Sequence, residues 1–134
     1  MKNIVVGYDG SDAARRALER AAEIANGATV TVVSVVHVMP PVGRAAVQID
    51  PDEIAERRHE LDEAKTLLAG KAVAVKTVES HGDPAKGIVE TARDAGADLI
   101  VVGTRGANVA SRVLLGSVST KVVHEAPCDV LVVR

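Results

Sequence analysis

A chain of 134 residues with 47% hydrophobic content is the size of one domain, and can bury about two thirds of the surface its unfolded form exposes. Its apolar residues are almost all Val, Ala, Leu and Ile; Phe and Trp are absent and Tyr8 is the sole aromatic side chain, so the stacking platforms of single-stranded nucleic-acid binders are missing. Lys and Arg total 16 against 18 Asp and Glu, a formal charge of −2 with no basic run, which argues against nucleic acid as a partner.

The single cysteine, Cys128, excludes an internal disulfide and fits a reducing compartment. No apolar stretch approaches 18 residues, and the chain opens directly into a strand pattern without a signal-peptide signature. The expectation is a soluble cytoplasmic protein with no membrane contact.

Asn3 to Tyr8 reads as a strand that closes at Asp9-Gly10-Ser11. Ser11 is a good N-cap for a helix running to about Asn26, with Ala14, Ala17, Leu18, Ala21 and Ala25 on its apolar face; Asn26-Gly27 ends it. Thr29 to Val38 is Val-rich and apolar on both faces over its later half, the pattern of a central parallel strand. Residues 39 to 50, opening Met39-Pro40-Pro41, read as a loop and a candidate mobile flap.

Asp50-Pro51-Asp52-Glu53 is a strong helix start, and that helix reaches about Ala69 with Ile54, Leu61, Ala64 and Leu68 inward. Glu53, Glu56, Arg57 and Arg58 are expected on its solvated face. Val73 to Val78, with Lys76 and Thr77, reads as an edge strand. Asp83 then Pro84 start a third helix, lined by Ala85, Ile88, Val89 and Ala92 and stopped at Gly96. Asp98 to Val102 is the fourth strand. Val118, Val122 and Ala126 mark the last helix before Pro127, and Asp129 to Val133 a final short strand. Strands alternating with helices throughout call for an α/β fold: a parallel sheet with helices on both faces.

The chemistry concentrates after the fourth strand. Gly103-Thr104-Arg105-Gly106, nine residues, then Gly116-Ser117-Val118-Ser119 reads strand, glycine loop, helix start. Glycine lets backbone approach a ligand closely, and a helix start offers unpaired N–H groups at the positive end of its dipole. That combination suits an anion, most naturally phosphate. A tight turn with ordinary Ser capping is the bland alternative.

The spacing Gly-x₂-Gly-x₉-Gly-Ser resembles the nucleotide loop of the universal stress protein family. The resemblance extends along nearly the whole chain. It is carried in order by Asp9-Gly10-Ser11, Val36-His37-Val38, Gly82-Asp83-Pro84, Gly96 to Gly106, Gly116 to Ser119 and Ala126 to Val133. It implies a single domain over 1–134, with a five-stranded sheet in the order 3-2-1-4-5, the adenine nucleotide alpha hydrolase-like arrangement. It places a ligand crevice between strands 1 and 4.

In the nucleotide-binding branch of that family, residues matching Gly7, Tyr8 and Asp9 lie beside base and ribose. The residue matching Val38 meets adenine through its backbone, and those matching Gly103, Gly106, Gly116, Ser117 and Ser119 surround ribose and phosphates, with Val118 between them. The implied ligand is ATP, with Mg²⁺ or Mn²⁺ as an allowed companion; AMP, a cyclic nucleotide or no nucleotide at all are the alternatives. A homodimer through Val130–Val133 is also implied, and an apolar edge strand supports it.

Residue by residue, Asp9 is either a turn residue or a ribose or metal contact. Tyr8 departs from the small or β-branched residue often found at its place in the family; it either narrows the base pocket or packs on the sheet. Arg105 and Arg112 are the loop's cations, against phosphate or in solvent. His37, His59, His81 and His124 lack metal-ligand spacing, His37 reads as structural, and Cys128 as a buried inert thiol. With no Walker A and no second carboxylate beside Asp9, any ATP hydrolysis is slow, and a regulatory role is favoured over an enzyme. A phosphoacceptor receiver lacks its acidic pair here. A flavin carrier lacks its phosphate loop after strand 1.

Overall fold

Residues 1–38, 43–44, 46, 49–104 and 115–134 are described by the computed structural model of the chain. The strands are β1 (Asn3–Gly7), β2 (Thr29–Val36), β3 (Ala74–His81), β4 (Leu99–Gly103) and β5 (Asp129–Val133). Between them lie α1 (Asp12–Ile24), α2 (Pro51–Leu68), α3 (Pro84–Ala95) and α4 (Ser117–Glu125). All strand pairs are parallel, and the sheet order is β3-β2-β1-β4-β5. β1 therefore sits at the centre, between β2 and β4.

Strand alternation sorts the apolar residues onto two faces. Ile4, Val6, Val30, Val32 and Val101 point to one side, where Leu18 and Ala21 of α1 and Leu61 and Leu68 of α2 cover them. Val5, Val33, Ile100 and Val102 point to the other, beneath Ile88 and Ala92 of α3 and Val122 of α4. Each fully buried Val, Leu or Ile contributes roughly 1.5–3 kcal/mol against its exposed state, so the three central strands anchor the fold. The expected double-sided burial of β2 is found, as is the edge position of β3.

The helix starts follow their capping residues. Ser11 Oγ accepts from the Ala14 N–H, Asp50 from Asp52, and Asp83 from Lys86. Pro51 and Pro84 take the first helical positions, where a missing N–H is harmless. α1 ends at Ile24 rather than Asn26, because Asn26 and Gly27 adopt positive φ (37° and 88°) and turn the chain toward β2.

Strand ends differ from the sequence reading for identifiable reasons. β2 stops at Val36, not Val38: the His37 N–H leaves the ladder for Glu53 Oε1 at 2.7 Å. β3 runs on from Val78 to His81, paired with β2 up to Val36↔His81 despite its polar Glu79-Ser80-His81 end. β1 ends at Gly7, although the Tyr8 N–H still donates to Val33 O.

Candidate functional site

In the order β3-β2-β1-β4-β5, the chain winds one way from β1 through β2 to β3 and the other way through β4 and β5. Between β1 and β4 the connections part, leaving a crevice beyond the carboxyl ends of the strands. A cleft of about 330 Å³ opens there. Its floor is the turn after β1 (Gly7, Tyr8, Asp9) and the exit of β4 (Val102, Gly103, Thr104). One wall is α2, with Glu53 and Arg57; the other is formed by Pro84 and Ile88 of α3 and by the start of α4.

Four residues in a row, Gly116 to Ser119, line the α4 end. The N-cap is Gly116, and among the described residues no side chain caps this helix, in contrast to α1, α2 and α3. The alternative of ordinary serine capping is thus not found at Ser117, which sits at the first helical position and is exposed. The first helical bond back to Gly116 O is made by the Thr120 N–H, so the N–H groups of Ser117, Val118 and Ser119 have no partner within the helix. They present three donors and a positive dipole end to the cleft.

Ser119 is 2% exposed, and its hydroxyl lies 3.0 Å from both Thr104 O and Gly116 O. It fastens the start of α4 to the exit of β4. Thr104 completes the fastening: its N–H donates to Val133 O and its carbonyl also accepts the Gly116 N–H. Thr104 was not singled out from sequence, where it reads only as a spacer between glycines.

Asp9 is exposed at the cleft, and its Oδ1 accepts the Ser11 N–H at 3.0 Å. That is the turn role; the helix cap itself belongs to Ser11. Gly10, at φ +77°, makes the turn possible, and the Glu60 carboxylate lies just beyond it. Glu60 is buried, which pushes its pKa up; Arg57 holds it down, while Asp9 and Glu56 push it up further.

Tyr8 is 3% exposed and packs in the core under α1 and α2, so of its two readings the packing one is found, with the residue also in the cleft floor. Its hydroxyl donates to Glu63, which Arg15 also holds at 3.1 Å. Burial, then Glu63, pushes the phenol pKa far upward, and it stays a donor.

The α2 face corrects the sequence reading most. Glu53 and Arg57 do not lie on a solvated surface; they form the cleft wall. Arg57, with 19% of its side chain exposed, sits among Glu53 (3.7 Å), Glu56 (3.0 Å) and Glu60 (2.8 Å). The Glu60 contact is off-axis, leaving Arg57 Nε and Glu60 Oε2 buried without a directed hydrogen bond. The signal was present: positions 53, 57, 60 and 64 step by four, three and four, one helical stripe that ends in fully buried Ala64.

Val38, the expected base contact, is half-buried outside the cleft, and His37 lines it instead; His37 is exposed rather than a packed strand residue. Gly7, Tyr8, Asp9, Gly103, Gly116, Ser117, Val118 and Ser119 are brought together. Arg105, Gly106, Arg112 and most of the candidate flap, 39–50, lie outside the described residues. Cys128 is half-buried rather than buried, and desolvation raises its thiol pKa.

A parallel sheet with helices on both faces and a crevice at its winding reversal defines a doubly wound α/β fold. The chain belongs to the universal stress protein family, whose profile matches residues 1–134. It is 40% identical to a universal stress protein of Thermus aquaticus over 138 residues, covering 99% of this chain and 98% of that one. Among solved structures it is similar to a universal stress protein in complex with cAMP (32% identity, TM-score 0.77, 99% and 97% of the two chains). It is also similar to the Archaeoglobus fulgidus universal stress protein in complex with dAMP (27% identity, TM-score 0.77, 100% and 98%).

Proposed function

We propose that this universal stress protein binds an adenine nucleotide, ATP above all, in the cleft between β1 and β4, and acts as a nucleotide-dependent regulator. The observation that carries the reading is the uncapped start of α4. Three N–H donors with no partner among the described residues face a cleft of nucleotide size at the winding reversal of the sheet. Phosphate takes the α4 end. Ribose lies over Asp9, and the base reaches toward β2 and the α2 wall. The similar structures holding cAMP and dAMP support an adenine ligand, and the first favours a cyclic nucleotide as the second reading.

Asp9 is the carboxylate placed to meet a ribose hydroxyl or, through Mg²⁺ or Mn²⁺, a phosphate. The other carboxylate lining the cleft, Glu53 on the α2 wall, already accepts the His37 N–H, and hydrolysis without a positioned water and a transition-state cation is slow. The proposal includes one domain over the chain, a cytoplasmic setting, and a homodimer formed by Val130–Val133 at the open sheet edge. Among the described residues no helix is long and apolar enough to cross a membrane.

Calorimetric titration of ATP, ADP, AMP and cyclic AMP, with and without Mg²⁺, into wild type and Gly116→Val tests the reading. Micromolar ATP binding that the valine abolishes is expected. Tighter binding of cyclic AMP would transfer the site to the second reading. Absence of binding by all four to ligand-free protein would leave a dimeric scaffold.

A further inference from the structure

Resting on the nucleotide reading, we propose that Arg57 of α2 is the stacking platform for the base, closing one side of a slot whose other side is Ile88 and Val35. A planar base held in a protein slot is normally gripped by an aromatic ring, and this chain has none to spare. Phe and Trp are absent, and Tyr8 is committed to the core with its hydroxyl on Glu63. The guanidinium group is the other flat side chain, and it stacks on π-faces.

Arg57 meets the requirements in place. It lines the cleft on the α1/α2 side of the sheet, while Ile88 and Val35 line it from the α3/α4 side. The base is at this end because the α4 donors fix the phosphate end. From β4 to β2 is two strand spacings, about 10 Å, the reach from phosphate to base in a nucleotide.

The guanidinium is also held still. Carboxylates at i−4, i−1 and i+3 of the same helix surround it, so little freedom is left to lose when a ligand arrives. A surface arginine seeking a phosphate would not need three carboxylates, and their charge opposes a phosphate at that spot. A neutral, polarisable base face suits the site better than an anion.

The test is Arg57→Lys, which keeps the charge beside buried Glu60 and removes the plane, titrated with adenosine, AMP and ATP. The expected result is a loss of about tenfold for all three ligands alike, because the lost contact is to the part they share. A loss that grows from adenosine to ATP would make Arg57 an anion contact and overturn the proposal, as would unchanged binding. Wild-type protein that binds none of the three would instead sink the nucleotide reading itself. Thermal melting accompanies each titration. If Arg57→Lys melts early, the pair Arg57→Gln with Glu60→Gln removes both buried charges together and is read by the same three ligands.

Discussion

Gly103 shows how one residue can satisfy two explanations. The sequence reading takes it as a place where backbone approaches a ligand, and it does line the cleft. Yet a Cβ there would come within 2.8 Å of Ala13 Cβ, 2.9 Å of Ala13 C and 3.0 Å of Ala14 N. The helix start, not a ligand, forbids a side chain. At Gly7 the nearest atom is Ile88 Cδ1 at 2.6 Å, the far end of a flexible side chain that can swing aside. Gly103→Ala is therefore expected to cost roughly 1–3 kcal/mol through a forced shift of α1. Gly7→Ala should cost less. Urea unfolding of both variants checks the order, and equal midpoints would refute it. Ser119 teaches the same lesson, since the single proton of its hydroxyl is shared between two carbonyls before any ligand is considered. Both residues were legible as candidates because their types and spacing are local. Their packing duties were not, because these depend on Ala13 and Thr104, brought close by the fold.

Elements were readable where one pattern dominated. Continuous Val and Ile marked β1, β2 and β4, and Ser or Asp with Pro marked three of the four helix starts. β3 was cut short because Glu79, Ser80 and His81 look unlike strand. An edge strand needs only one ladder, and Glu79 finds Arg58 at 2.7 Å and His81 at 2.9 Å. α2 was misread on one stripe, since Glu53 and Arg57 are polar yet face the cleft. β5 carries a prediction about partnership. Val133 O accepts the Thr104 N–H, so the amide groups of Val133 face β4. Those of Val132 and Val130 then face the open edge. Proline at 132 removes an outward N–H and spares the β4–β5 ladder. Val132→Pro is expected to sediment as a monomer with a melting temperature, compared as monomer, near that of wild type. A variant that stays dimeric would place the interface elsewhere.

At the scale of the whole molecule, the fold was the most legible feature, because strict strand–helix alternation admits few topologies. Its response to acid follows from five carboxylates. Glu63 is held below its usual range by Tyr8 and Arg15, Glu79 by Arg58 and His81, Asp83 by the Lys86 N–H and Lys121, and Asp98 by the N–H groups of Asn3 and Lys2. A lowered folded value means stability that is present above the unfolded pKa, about 4, and lost as pH falls through the folded one. Glu60, raised by burial, has the opposite sign: its contribution is present below the unfolded value and lost as pH rises through the folded one. Thermal melts from pH 3 to 7 should fall steeply on the acid side, with Asp98→Asn flattening that limb. Glu60→Gln should gain on wild type as pH rises from 4 to 7. An unchanged acid limb in Asp98→Asn would remove its carboxylate from this account.

The central position of β1 also sets a clock. During synthesis β2 follows β1 within a short stretch, yet the β4 edge of β1 stays bare until roughly ninety more residues have been added. At about 5–20 residues per second, Ile4, Val5 and Val6 wait for roughly 5–20 s with one row of backbone donors and acceptors open. The ribosome-bound chain is thus a substrate for whatever covers naked strand edges, and the central strand of the finished protein is a vulnerable one at birth.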